Sequence, residues 1–180
     1  MRAPGPELRY AALALRAAAG DGPGTLAGVA VRYGDLAELP GWRERIAPGA
    51  FGELRGLDVI ANVQHDRARP LARTEGGGLA LADSARELAI TVELPATRDG
   101  EDVATLFRLG VLRGVSVEMR VEREDWEGDL RTVRAAKLRG LALVDRPAYG
   151  ASRAALAERA RAEVEAASRP PAPAWRPWEW

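Results

Sequence analysis

Residues 86–95 read Arg86-Glu87-Leu88-Ala89-Ile90-Thr91-Val92-Glu93-Leu94-Pro95. Leu88, Ile90, Val92 and Leu94 alternate with Ala89, Thr91 and Glu93, the period of two that marks a β-strand with one face in a core. Working outward, Thr25 to Val31 is an apolar run fit for a buried strand and Val59 to His65 is another. Gly76-Gly77-Gly78 punctuates the chain before Leu79 to Leu81 resumes the pattern, and Val115 to Val121, Leu130 to Ala135 and Leu138 to Val144 also fit strands. Some eight short strands at this spacing predict a closed or nearly closed β-barrel.

Two helices flank these strands. The first is expected from Asp99 as N-cap, with Glu101 and Asp102 complementing its dipole, Val103, Leu106, Phe107 and Val111 at helical spacing, and Gly110 and Gly114 closing it. The second is expected from Ser152 to Ala167, where Leu156 and Val164 are the only large aliphatics, so it reads as an exposed arm or a helix in need of a partner. Beyond it, Pro170, Pro171, Pro173 and Pro177 stand with Trp175, Trp178 and Trp180 in what reads as an extended tail. Its indole rings suit either folding back onto the body or anchoring a docking peptide on a partner. The fold class is therefore α+β, mainly β, with a barrel domain over residues 1–150 and a C-terminal helical arm and tail over 151–180.

The 180-residue length fits one domain with an appendage. Its 26 basic residues balance 26 acidic ones, which argues against nucleic-acid binding through bulk positive charge. With no cysteine there is no disulfide, thiolate metal site or cysteine nucleophile, and with His65 as the only histidine no zinc site rests on two or three imidazoles of one chain. Neither a metal nor a cofactor is expected. The apolar run Tyr10 to Leu15 superficially resembles a secretory leader, but Glu7 and Arg9 precede it and Arg16 cuts it to six residues. No uncharged apolar run approaches the roughly 18 to 20 residues that span a bilayer. A soluble protein of the cytoplasm, neither secreted nor membrane-bound, is the expectation.

His65 is the only side chain whose ordinary pKa lies near neutrality, so any imidazole base has to be this one. Placed on a strand, it shares a face with Val59, Ala61 and Val63, where a structural role competes with a catalytic one. In Arg113-Gly114-Val115-Ser116-Val117-Glu118-Met119-Arg120-Val121, the valines and Met119 take one face while Ser116, Glu118 and Arg120 take the other. Of four serines, Ser84 sits in a turn, Ser152 reads as a helix cap and Ser168 precedes the tail, leaving Ser116 in a half-buried strand. A serine hydroxyl becomes a nucleophile only when a base takes its proton, and His65 is the base on offer. Gly49-Ala50-Phe51 reads as a turn that plants Phe51 in the core, and Asp66 as a strand-end turn residue. A carboxylate–metal hydrolase built on Asp58, Asp66 and Glu93 has only scattered acids behind it.

Five pieces in order, Glu44 to Phe51, Gln64-His65-Asp66 with Pro70 to Thr74, Leu88 to Pro95, Gly114 to Val117 and Leu143 to Tyr149, resemble the prohead maturation proteases of tailed phages of the Hong Kong type. That family is related to the herpesvirus assemblins, and versions occur in gene transfer agents. The resemblance covers residues 25–150 and implies a serine endopeptidase on an assemblin-like β-barrel flanked by helices, with His65 and Ser116 matching the catalytic histidine and serine. It implies cleavage of the major capsid protein's scaffold segment, and of the protease itself, inside a procapsid in the bacterial host, with self-association a further possibility. Relatives often carry a Glu before the Pro-Ala-Tyr segment, where this chain has Gly140 and Ala142. For the third catalytic residue Asp145 is the first candidate and Glu118 the second, with a dyad as a further option. The departure, together with the C-terminal helix in need of a partner, also motivates an alternative, a non-catalytic capsid scaffolding or assembly protein on the same fold.

Overall fold

The computed structural model describes residues 23–39 and 41–145, and over 7–16 the course of the backbone. The arm and tail expected from Ser152 to Trp180, and with them the division at residue 150, lie outside the described residues. Ten strands and one helix follow in chain order: β1 (Glu7–Arg16), β2 (Thr25–Arg32), β3 (Ala37–Leu39), β4 (Trp42–Ile46), β5 (Ile60–Val63), β6 (Asp66–Arg73), β7 (Leu79–Asp83), β8 (Glu87–Glu93), α1 (Arg98–Arg108), β9 (Gly114–Glu127) and β10 (Leu130–Val144). The α+β, mainly β class holds.

The alternation in β8 is realised as expected, with Leu88, Ile90 and Val92 buried and Thr91 and Glu93 exposed. β8 sits between β2 and β7, and the sheet runs β3-β4-β10-β9-β1-β2-β8-β7. The apolar run Tyr10 to Leu15 lies inside β1, paired to β9 on one side and β2 on the other. Leu26, Leu88, Val92, Val115, Val117, Met119, Leu141 and Leu143 form the centre of the core. Burying each such side chain stabilises the fold by about 1.5–3 kcal/mol.

The expected barrel does not form, because the sheet does not close on itself. The outer edge of β10 is divided: Leu130–Val133 pairs in parallel with β4, and Leu141–Leu143 pairs in parallel with β5. Each of these ends in a hairpin partner, β3 or β6, with no further strand among the described residues. β3 is three residues long, and β6 contains Pro70, which has no amide hydrogen to offer a next strand. The runs Leu130 to Ala135 and Leu138 to Val144, expected as two strands, are one. Irregularities at Val133/Ala135, Ala135/Ala136 and Leu138/Gly140 break the alternation without ending β10.

α1 is capped by Thr97 rather than Asp99: the Thr97 hydroxyl accepts from the Gly100 amide, and Asp99 falls in the first turn. Val103 and Ala104 turn its inner face to the core. A Cβ on Gly100 would lie 2.0 Å from the Pro95 carbonyl oxygen, so only glycine lets the helix start this close to the end of β8. Gly110 follows the C-cap at φ +69, whereas Gly114 opens β9 instead of closing the helix. Gly49-Ala50-Phe51 forms the expected turn, and Phe51 packs in the core against Tyr33 with ring centroids 6.3 Å apart.

Candidate active site

Ser116 and Glu118 stand two residues apart on β9 and therefore on one face. Across the ladder Ser116 pairs with Ala142 and Glu118 with Gly140, and on the far edge of β10 Ala142 pairs with Asn62. Paired residues share a face, so Asn62, Ala142 and Ser116 make one row and Gly140 and Glu118 the next. The opposite face of the same strands carries Val63, Ala61, Leu143, Leu141, Val115 and Val117 into the core. Both faces are buried here, and Ser116 is 0% exposed.

β5 ends at Val63, two residues short of the strand expected through His65. Gln64 and His65 take φ values of 51 and 63, left-handed backbone that costs a residue with a Cβ on the order of 1–2 kcal/mol. The Gln64 amide donates to the Leu143 carbonyl at 2.9 Å and fixes this turn against β10. Strain of that kind, held in place by its surroundings, is a feature of functional sites. It carries the imidazole off the strand, and His65 Nδ1 lies 2.7 Å from Glu118 Oε1.

That contact has a chemical consequence. Facing a carboxylate oxygen, Nδ1 takes the donor role, the tautomer in which the buried Nε2 is the acceptor of the ring. The separation is that of a charge-assisted hydrogen bond. Ser116 Oγ is buried with no hydrogen-bond partner among the described residues, on the strand that supplies the carboxylate. Serine–base contacts are commonly long in unliganded sites and tighten around substrate.

Gly140 makes room for the carboxylate. A Cβ there would stand 3.1 Å from Glu118 Oε2 and 3.4 Å from the Ile60 carbonyl oxygen. The position that reads in sequence as lacking an acid is thus the gap across which the acid of the neighbouring strand reaches His65. Asp145 lies one residue past β10, exposed, without a hydrogen bond or ion pair to any described residue. The structure brings together His65, Glu118 and the Ser116 strand, and leaves Asp145 outside. The i, i+2 spacing of Ser116 and Glu118 was readable in the sequence; their register against Gly140 was not.

Asp58, Asp66 and Glu93 do not assemble, and among the described residues no group of three His, Asp or Glu is arranged to hold a metal. Arg73 donates through Nε to Asp58 Oδ1 at 2.6 Å and holds the carboxyl below its ordinary range, chiefly by hydrogen bonding. Asp66 Oδ1 accepts from the Ala68 amide at 2.9 Å, a turn contact as expected.

A model of the caudovirus prohead serine protease family matches residues 11–167. The chain belongs to that family. The match takes in His65, Ser116 and Glu118 and stands at the level of the family, above any division into phage and gene-transfer-agent versions. No curated protein and no solved structure matches the chain. Membership makes the chain one of the serine peptidases of capsid maturation. Among the described residues no helix is long and apolar enough to cross a membrane.

Proposed function

We propose that this prohead protease is the endopeptidase that removes the scaffold segment of the major capsid protein, and cleaves itself, inside the procapsid in the host cytoplasm. In this reading Ser116 is the nucleophile, His65 the general base and acid, and Glu118, in place of Asp145, the group that orients the imidazole. The single observation that carries it is the 2.7 Å bond from His65 Nδ1 to Glu118 Oε1, beside a serine on the same strand face.

The steps follow from those positions. Ser116 Oγ attacks the scissile carbonyl carbon while its proton passes to His65 Nε2. The C–N bond then breaks as that proton moves to the leaving amine, and water, deprotonated by the same nitrogen, releases the acyl group from Ser116. Glu118 stabilises the imidazolium formed in between. With Ser116 fully buried, a peptide reaches the hydroxyl only after the surface above it opens, so substrate binding and opening are coupled. The scaffolding alternative rests on the departure at Gly140 and Ala142 and on the C-terminal helix, and the contact of Glu118 with His65 speaks to the first of these.

The test is co-expression with the neighbouring major capsid protein, alongside Ser116→Ala and His65→Ala. The capsid protein is expected to shorten only with the unmodified chain, while shells assemble with all three. Normal shortening with Ser116→Ala overturns the assignment.

A further inference from the structure

Asn62 is 3% exposed, and its Oδ1 has no hydrogen-bond partner among the described residues. Buried carboxamides are nearly always bonded, because the water they give up has to be replaced. Its neighbours on β5, Ala61 and Val63, are apolar, so nothing about the strand calls for an amide at this point. What distinguishes position 62 is its row: Asn62 pairs with Ala142, and Ala142 pairs with Ser116.

Adjacent strands lie about 4.8 Å apart, so the Cα atoms of Asn62 and Ser116 are separated by roughly 10 Å. Both side chains rise from the same face and reach part of that distance. In the row between them stands Ala142, whose side chain is a single methyl group. Two buried polar atoms in one row, Ser116 Oγ and Asn62 Oδ1, have no hydrogen-bond partner among the described residues, and they mark the row as a place where polar atoms are to arrive.

Resting on the serine-peptidase reading, we propose that Asn62 is a catalytic residue that binds the scissile carbonyl of the substrate peptide across Ala142. A carboxamide carries two N–H donors beside its acceptor, and half a turn about its terminal torsion, which is broad and roughly two-fold, exchanges the unpartnered Oδ1 for Nδ2. When Ser116 Oγ bonds to the carbonyl carbon, the electron pair of the C=O moves onto oxygen, and Nδ2 of Asn62 donates to that oxyanion. The pair returns when the C–N bond breaks, and the amide is left unchanged. The donor comes from β5, whose continuation into the Gln64–His65 turn also delivers the base, so one short strand fixes both relative to Ser116.

The experiment measures cleavage of purified major capsid protein carrying its scaffold segment, by the full chain and by Asn62→Ala and Asn62→Asp, at saturating and limiting substrate, with melting curves for each variant. Loss of one side-chain oxyanion donor typically lowers the rate about 100- to 1000-fold. That fall is expected in kcat with KM changed by less than about threefold, and Asn62→Asp, which keeps the shape but adds a charge facing the oxyanion, is expected to be at least as impaired as Asn62→Ala. Both variants are expected to melt within a few degrees of the parent. A kcat within about threefold of the parent in either folded variant overturns the proposal, as does a loss that tracks the melting temperature, which would make Asn62 a structural amide with a water as its missing partner. If Asn62→Ala does not fold, the isosteric Asn62→Asp decides. The parent and Ser116→Ala serve as controls: if the parent does not cleave, or Ser116→Ala does, the serine-peptidase reading itself falls, whereas correct controls with active Asn62 variants sink only this inference.

Discussion

The β9–β10 ladder buries a carboxylate near each of its ends. Near the start of β9, Glu118 meets His65; at the far end, Glu44 of β4, 0% exposed, accepts from Arg131 Nη1 at 3.2 Å. The second site is also a row across three strands, Trp126–Arg131–Glu44. Arg131 further donates through Nε to Glu124 at 2.5 Å, and its guanidinium lies 5.3 Å from the Trp42 ring centroid and 6.0 Å from that of Trp126. The two carboxylates differ in what faces them. Arginine stays charged at any pH a protein survives, fits carboxylates with a planar fork and stacks on indoles, so the distal row is a fixed brace. Imidazole gains and loses a proton near neutrality, so the same kind of buried acid beside His65 can stabilise a charge that comes and goes. The chemistry of the partner, not the burial of the acid, separates a site from a brace.

The largest effect that would break this contrast is at the site. Glu118→Gln keeps the shape but no longer fixes Nδ1 as the donor, and a change of this type in a serine–histidine–carboxylate site costs about 10⁴-fold in kcat. The melting temperature is expected to move little. A Glu118→Gln protein that cleaves capsid protein within tenfold of the parent would reduce Glu118 to packing. At the brace the readouts exchange places. Arg131→Met deprives buried Glu44 of its cation, a loss of about 3–5 kcal/mol in unfolding free energy measured by denaturant titration. Turnover per folded molecule is expected to stay unchanged, and adding Glu44→Leu to Arg131→Met is expected to recover most of the stability.

Gly140→Ala sharpens the comparison at smaller scale. The added Cβ would stand 3.1 Å from Glu118 Oε2, so the carboxylate has to yield by a few tenths of an ångström and the imidazole with it. Misplacing a catalytic group by about 1 Å costs on the order of 100-fold, so a fall of about tenfold in kcat is expected here. In a Glu118→Ala background the same substitution is expected to cost almost nothing further, because the atom it crowds is gone. Equal losses in both backgrounds would place the effect of residue 140 elsewhere.

These residues also show where reading the chain succeeds and stops. Leu88, Ile90 and Val92 gave β8 directly, because a half-buried strand writes its period into the sequence. Ser116 and Glu118 were readable as sharing a face for the same reason. His65 was not readable in its true setting, since nothing in Gln64-His65-Asp66 signals two consecutive left-handed residues in the absence of glycine. Gly140 misled, because its meaning is a distance to a side chain on another strand, and cross-strand register is settled by the whole sheet. The closed barrel failed on a similar point: strand count is local, but whether β3 and β7 meet depends on how β4 and β5 divide the edge of β10.

A third carboxylate, at the surface, sets the lower end of the scale. Asp58 is engaged by both Nε and Nη2 of Arg73, yet the two side chains remain 42% and 50% exposed. Its carboxyl is held below the ordinary aspartate range, first by the hydrogen bonds from Arg73 and then by the guanidinium charge. The sign follows from which state binds the proton first. The unfolded chain takes it up near the ordinary value of about 4, while the folded chain does so only at lower pH. The stabilisation is therefore fully present above that value and lost as pH falls through the folded pKa. Solvent screens so exposed a pair, and its worth is small beside that of Glu118 or Glu44. Asp58→Asn is expected to leave cleavage and the melting temperature at pH 7 nearly unchanged and to flatten slightly the decline of the melting temperature below about pH 4. If Asp58→Asn instead lowered stability at pH 7 as much as Arg131→Met, geometry would outweigh desolvation in this protein, and the distinction between surface pair and buried brace would have to be given up.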